Sequence, residues 1–369
     1  MEYVQERIAT IHDYNGATPT TPVSRATIVV PLTAQDYGSA ATERVFRTLA
    51  SLNPERVIVP LRADSSIVQD VSEWLHSFEL PLTLFWCTAP EVEQTLARYD
   101  LNGQTGKGRD VWLALGLASE SEYVVVHDAD AITYDETTVP RLLFPLSRGY
   151  TFSKAYYARI ENQQFYGRLF RLFVTPLIRA VKQLGWTADL LAYLSAFRYT
   201  LSGEFALTGD LAKKLRVPRG WGLEIGTLAD AFQHAGFDGT AQVDLGTHQH
   251  EHRPVEGDGG LGRMAHEVGE TLYAVLEEHG IKPDYDTLAD QYRQCAHTLI
   301  DQYATDAAFN GFSYDIEQEQ EQVSLYAEAV TPPQSDTRLP AWESINLSPS
   351  TVLTESQNAL AGKQTHPRR

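Results

Sequence analysis

The sequence is poor in cysteine: Cys87 and Cys295 are the only two, and they show no CxxC spacing. A disulfide framework and a CxxC redox or metal ribbon are thereby excluded. No apolar run approaches the roughly 18 residues that a membrane-spanning helix needs, so no membrane span is expected. The opening stretch MEYVQERIATIHDY lacks the apolar core of a secretory signal, and a reducing cytoplasm is the expected home. Basic residues are the other shortage. Lysine is scarce, and 30 Lys and Arg face 48 Asp and Glu, for a formal net charge of −18. With no basic block to offset this excess, phosphate backbones are repelled, and nucleic acid is excluded as the main partner. Internal repeats are also missing.

The acidic excess is spread along the chain. Such a surface stays hydrated at high salt, which points to a halophilic host, although solubility alone explains it as well. With 369 residues, 43% of them hydrophobic, the chain can bury a sizeable core in one large domain or two modest ones. A fully disordered or collagen-like chain is excluded by the same figure.

Residues 1–25 are polar and end in NGATPTTPVS, which reads as an N-terminal extension. Short β-branched apolar runs follow at 26–32, 56–61 and 82–86, separated by helical patterns at 41–52 and 67–78. Strand and helix in alternation predict a doubly wound α/β layer. Gly106-Lys107-Gly108 then opens a helix, and the strand Tyr123-Val-Val-Val leads directly into His127-Asp128-Ala129-Asp130. Residues 164–185 form an amphipathic stretch, read as a core-facing helix in preference to a membrane-surface one. Two helical patterns at 261–279 and 285–303 suggest a helical segment over 256–313. From 314 to 369, Glu-Gln alternation, Pro332-Pro333 and Ser/Thr-rich sequence read as an acidic disordered tail.

Asp128-Ala129-Asp130 is the strongest local signal. Open α/β sheets bind ligands at the C-terminal strand edge, and carboxylates there suit hard divalent cations that neutralise a diphosphate. A turn that merely favours aspartate is the alternative. Gly106-Lys107-Gly108 brings backbone and a positive charge to a helix N-terminus, without the spacing of a phosphate-binding P-loop. In Thr247-His-Gln-His-Glu-His-Arg-Pro254, His248, His250 and His252 alternate and would share one side of an extended strand. They read either as a zinc cluster, or as one histidine joining Asp130 around Mg²⁺ or Mn²⁺, or as a solvated strand end. Gly220-Trp-Gly-Leu-Glu-Ile-Gly226 offers Trp221 to a sugar face. Glu224 stands near a helix start, either as a helix-terminal carboxylate or as an acceptor from sugar hydroxyls. Ser202-Gly-Glu-Phe205 repeats that composition with Glu204 as its charged member.

In this order, the GKG helix, strand-DAD, GEFA, GWGLEIG and VDLGTHQHEHRP resemble the glucosyl-3-phosphoglycerate synthases, a family of retaining GT-A glycosyltransferases. The resemblance runs over about residues 27–276, and mannosylglycerate synthases are more distantly similar. It implies a GT-A doubly wound nucleotide-diphospho-sugar transferase domain over 26–255. It further implies transfer of a hexose, glucose by preference, from UDP-glucose or another nucleotide sugar to a small phosphoglycerate- or glycerate-type anionic acceptor, with Mg²⁺ or Mn²⁺. Carried across by position, Pro31, Leu32, Lys107, Asp128, Ala129, Glu204 and Trp221 would bind the nucleotide sugar. Asp130 and His250 would hold the metal, and Glu224, Asp128 and Lys107 would stand at the reacting centre. Gly167, Arg168 and His252 would meet the acceptor. A homodimer and an anionic compatible solute as product belong to the same expectation.

Three departures stand out. The family's Pro-Ala-Leu-Asn-Glu-Glu is Pro31-Leu-Thr-Ala-Gln-Asp36 here, so the acidic nucleotide contact is missing or supplied elsewhere, with Asp64 as candidate. A threonine expected shortly after Gly-Arg is Phe170, and an asparagine expected after the metal histidine is His252. Both changes fall on the acceptor's phosphate side. They leave room for a nucleotide-sugar-binding protein without turnover or a mannosyltransferase using GDP-mannose, and the three histidines for a zinc hydrolase.

Overall fold

A computed structural model describes residues 5–250 and 260–364. Its strands are β1 (Ala9–Ile11), β2 (Ala26–Val29), β3 (Leu32–Thr33), β4 (Arg56–Arg62), β5 (Leu82–Trp86), β6 (Tyr123–Val126), β7 (Phe152–Ala158), β8 (Ile160–Glu161), β9 (Gln164–Phe165), β10 (Phe205–Thr208) and β11 (Thr240–Thr247). Nine of these form one mixed sheet in the order β1-β11-β7-β10-β6-β2-β4-β3, with β5 also on β4. Every pairing in it is parallel except those of β10, which runs antiparallel to both β6 and β7. Parallel strands covered on both faces are apolar throughout, and all four residues of β2 are buried.

The apolar run at 26–32 is interrupted. Proline carries no N–H for the ladder, so the run divides around Pro31 into β2 and β3, both parallel to β4. The chain thus leaves the sheet briefly at Pro31, at the mouth of the cleft described below. The helices Ala40–Leu52 and Val68–His76 connect the first strands. Ser39 caps the former by accepting from the Thr42 N–H at 3.2 Å. The helix Lys107–Ala118 is buried on all sides from Gly108 onward, so something must cover the side turned away from the sheet.

That cover is the C-terminal segment, which corrects the expectation of a disordered tail over 314–369. It forms the helices Ile316–Ala327 and Pro349–Gln364 with a turn at Trp342–Ser344. Trp342 stacks on Trp112 with ring centroids 4.2 Å apart, and its Nε1–H donates to the Trp112 carbonyl at 2.7 Å. The Trp112 Nε1–H donates to the Pro340 carbonyl, and the Trp86 N–H to Ser356 Oγ. The averaged composition hid a few apolar anchors, Val323, Tyr326, Leu339, Trp342, Leu347 and Val352, all buried. Those anchors fix the segment despite its Glu, Gln and Ser. Trp342→Ala should therefore cost about 3–5 kcal/mol in urea unfolding, as large core truncations do. A change below about 1 kcal/mol would show the segment to be dispensable.

The N-terminal extension expected at 1–25 also contributes to the fold. β1 extends the sheet edge beside β11, and Ile8 is buried. Residues 164–185 form no single helix: β9 is followed by a wide π-helical turn over Leu169–Val174 and the helix Thr175–Gln183. Its apolar side, with Leu172, Phe173, Leu177 and Val181, is buried. It packs on the helix Tyr285–Asn310, so its partner is protein. Among the described residues, no helix is long and apolar enough to cross a membrane.

Candidate functional site

A cleft of about 1280 Å³ lies at the C-terminal ends of β2, β4, β5 and β6. It is lined by Pro31, Leu32 and Asp64 at one end, by Lys107, Asp128, Ala129 and Asp130 beneath, and by Trp221, Glu224 and His250 opposite. Gly167 and Arg168 stand at the far end. Of the candidate nucleotide-sugar, metal and acceptor residues, all line it except Glu204 and His252, and of the alternating histidines His248 does not. His252 lies outside the described residues.

β6 sits between β2 and β10 and delivers the DAD sequence to the cleft floor. Buried His127 anchors the turn, its Nε2 lying 3.1 Å from Tyr134 Oη. From there the two carboxylates take different partners. Asp128 Oδ1 lies 2.6 Å from Lys107 Nζ, which also reaches Glu224 Oε1 at 3.3 Å. Asp130 Oδ1 lies 3.1 Å from His250 Nδ1. Divergent side chains do not separate the functional atoms: Asp128, Asp130 and His250 each offer a ligand atom, all within 4.8 Å of one another. Two carboxylates and one imidazole on that scale form an oxygen-rich donor set that suits Mg²⁺ or Mn²⁺.

The charges are mutually arranged. Burial pulls the Lys107 ammonium toward neutrality, but the Asp128 and Glu224 carboxylates outweigh it and hold its pKa well above the ordinary value. Burial likewise opposes a charged His250, yet the hydrogen bond and charge of Asp130 push its pKa up. Asp130 mirrors this: burial raises its pKa, and His250 and then Lys107 bring it below the ordinary carboxylate range.

Glu204 requires a correction. It is 1% exposed and does not line the cleft, so it cannot touch a bound sugar. Its residue lies at the start of the antiparallel strand β10, beneath the floor, where Oε1 is 3.4 Å from His248 Nε2. His248 is buried and stacks on Tyr157 at 4.2 Å. Glu204, His248 and His250 make a second set of atoms within 4.8 Å, sharing His250 with the first. The alternating histidines thus divide, one into the core and one into the cleft.

The glycines of these motifs serve close packing. A Cβ at Gly108 would stand 1.8 Å from the Pro218 carbonyl oxygen, so the start of the Lys107–Ala118 helix touches the loop that carries Trp221 and leads into the helix Leu223–Ala235 of Glu224. That contact brings Lys107 within reach of Glu224, whereas the sequence suggested backbone approach to a ligand. At Gly203 a Cβ would meet Asp128 Oδ2 at 2.5 Å, so the glycine of the GEFA element makes room for the aspartate.

Several lining residues were not singled out from the sequence. Asp36 lines the cleft and accepts from the N–H and Oγ1–H of Thr33, both at 2.7 Å. An acid thus ends this segment as a turn cap. Buried Asp110 pairs with Arg62 at 3.2 Å, and burial pushes its carboxyl up to about 6 against the opposing Arg62 charge. Arg159 stands at the far end, its Cδ 3.6 Å from the point where a Gly167 side chain would begin. Gln318 also lines the cleft there. Their only signal was spacing along elements whose folding the sequence left open.

A sheet with one reversed strand, and a cleft whose floor gathers carboxylates and an imidazole, define a GT-A glycosyltransferase. The fold is shared with solved structures of glucosyl-3-phosphoglycerate synthase from Mycobacterium tuberculosis. One, in complex with Mn²⁺, UDP-glucose and phosphoglyceric acid, superposes with a TM-score of 0.57 at 25% identity, over 76% of this chain and 90% of that one. Glucosyl-3-phosphoglycerate synthases from Methanococcoides burtonii (32% identity, 92% of this chain and 90% of the relative) and Persephonella marina (30%, 82% and 79%) are similar along most of their length, and the chain belongs to this family. No family model matches the chain. Family membership sets aside the zinc hydrolase.

Proposed function

We propose that the chain transfers glucose from UDP-glucose to a phosphoglycerate-type acceptor with retention of configuration, using Mg²⁺ or Mn²⁺. The observation that carries this reading is the convergence of Asp128, Asp130 and His250 beside Lys107 on the cleft floor. Asp130 and His250 would hold the cation, which supplies charge neutralisation for the departing diphosphate when bound. The chain's own residues do the rest. Lys107 contributes a fixed positive charge beside the diphosphate, in a partly water-excluded floor where such a charge counts for more than in water. Pro31, Leu32 and Asp64 border the nucleoside end. Trp221, 42% exposed, offers an aromatic face to the hexose, and Glu224 accepts from its hydroxyls. Glu224 is engaged by Lys107, which suits it to holding the sugar rather than attacking it, so we favour return of the acceptor from the leaving-group face.

Arg159 and Arg168 flank Gly167 and give the acceptor end a positive character. That character favours an anionic acceptor even though Phe170 replaces a hydroxyl donor and packs on Tyr199, with centroids 4.5 Å apart. The test is incubation with UDP-glucose, Mg²⁺ and 3-phosphoglycerate or glycerate, at low and multimolar salt. UDP release and a glucosylated product are expected, and no UDP release with either acceptor overturns the reading. Arg168→Ala should raise the acceptor KM about tenfold or more and leave the UDP-glucose KM unchanged.

The same reading places the protein in the cytoplasm as a homodimer, making an anionic compatible solute for a halophilic host. The net charge of −18 supports the salt-loving part. Its check is a melting temperature that rises with KCl into the molar range.

A further inference from the structure

The acceptor end of the cleft is not built by the nucleotide-sugar-binding domain alone. Glu319, on the helix Ile316–Ala327, is 3% exposed and accepts four hydrogen bonds. Its Oε1 receives Arg168 Nε at 3.0 Å and Arg171 Nη2 at 3.2 Å, and its Oε2 receives Arg171 Nη1 at 2.9 Å and Tyr314 Oη at 3.1 Å. The preceding residue, Gln318, is exposed, lines the cleft and accepts from Arg168 Nη2 through its amide oxygen. Two neighbouring residues of one helix therefore hold the guanidinium by its Nε and one Nη group. The orientation of Arg168 in the cleft is set by the C-terminal segment.

The charge count has a consequence. The Glu319 carboxylate faces two guanidinium groups, and Arg159 adds a third cation beside Gly167 with the buried Glu161 carboxylate acting on it, so three cations meet two anions. This end of the cleft keeps a positive excess in a chain of net charge −18. A planar guanidinium selects geometry as well as charge, so its direction decides which oxygens of an anion it meets. The Gln318 amide nitrogen is a further donor on the same side, where Phe170 has removed a hydroxyl.

We propose that the helix Ile316–Ala327 completes the acceptor subsite: Glu319 positions Arg168, and Gln318 contacts the acceptor and helps to determine which anion is accepted. This rests on the reading of Arg168 as the acceptor residue. Gln318→Glu places a carboxylate against the acceptor without disturbing a buried group, while Glu319→Gln keeps the shape and removes the charge that aligns Arg168.

The test is initial-rate kinetics of the full chain, varying 3-phosphoglycerate and UDP-glucose separately, with melting temperatures measured alongside. Gln318→Glu should raise the acceptor KM about tenfold at an unchanged melting temperature and an unchanged UDP-glucose KM. Glu319→Gln should raise it similarly, and Glu319→Asp should restore part of the loss. Glu321→Gln, an exposed position on the same helix, should change nothing. An unchanged acceptor KM for Gln318→Glu, in an enzyme whose Arg168→Ala variant has lost acceptor affinity, overturns the proposal and leaves the function intact. If the unsubstituted chain transfers glucose to no anionic acceptor, the functional reading fails instead.

Discussion

Asp130→Ala and His250→Ala should each lower kcat about a thousandfold or more in the presence of Mn²⁺, while far-ultraviolet circular dichroism stays unchanged. Both side chains line the cleft, and neither supports the sheet. They pair at 3.1 Å, a contact that a bound cation would replace. This gives a pH signature as well. His250 has a raised pKa in the folded state, so its contribution is fully present below the unfolded value of about 6.5 and is lost as pH rises through the raised value. Asp130 has a lowered pKa, so its contribution is present above about 3.9 and lost only as pH falls through the depressed value. The pair is therefore strongest between about pH 4 and 6.5. A metal needs the neutral imidazole, so stabilisation by Mn²⁺ should grow as pH rises from 6 to 8, while the metal-free protein loses this contribution. Thermal shift with and without Mn²⁺ reads both trends, and His250→Ala should erase both. Retention of full Mn²⁺ stabilisation in His250→Ala would remove this residue from the metal set.

The sheet was legible because its parallel strands are buried on both faces and announce themselves as apolar runs bounded by helices. Its interruption at Pro31 was not legible from proline alone, since Pro60 continues inside β4, in register with Phe85 of β5. The DAD aspartates were legible as a strand end, though not the directions of their side chains, because pleat alternation stops where the strand does. Long-range partners were hidden. Nothing local says that His248 turns toward Glu204 while His250 turns toward Asp130, or that Gly108 exists to admit the Pro218 carbonyl. The C-terminal segment failed for a different reason. Average composition weighs every residue equally, whereas Trp342 stacked on Trp112 and Glu319 between two arginines fix the chain through a few contacts. A tail of that composition with no such anchors would have been free.

Lys107→Met should be the most damaging single change to the metal-free floor of the cleft. Lys107, Asp128 and Glu224 come from three distant parts of the sequence, and their side chains are 18%, 23% and 10% exposed. Removing the ammonium leaves two carboxylates facing each other with Asp130 close by. Breaking a buried pair costs about 3–5 kcal/mol, and the partial opening to the cleft argues for the lower end. Because the folded pKa of Lys107 is raised, its contribution is fully present below the unfolded value of about 10.4, so the loss is felt across the neutral range. It should shrink when Mn²⁺ supplies the missing positive charge. On the proposed reading kcat should also fall about a hundredfold, because the diphosphate loses a fixed positive neighbour. Lys107→Arg should restore stability better than activity, since a planar fork cannot place its charge where a compact ammonium does. Melting curves at pH 8 with and without Mn²⁺, set beside steady-state rates, distinguish these effects. A Lys107→Met protein with an unchanged melting temperature at pH 8 would mean that the three charges do not depend on one another in solution.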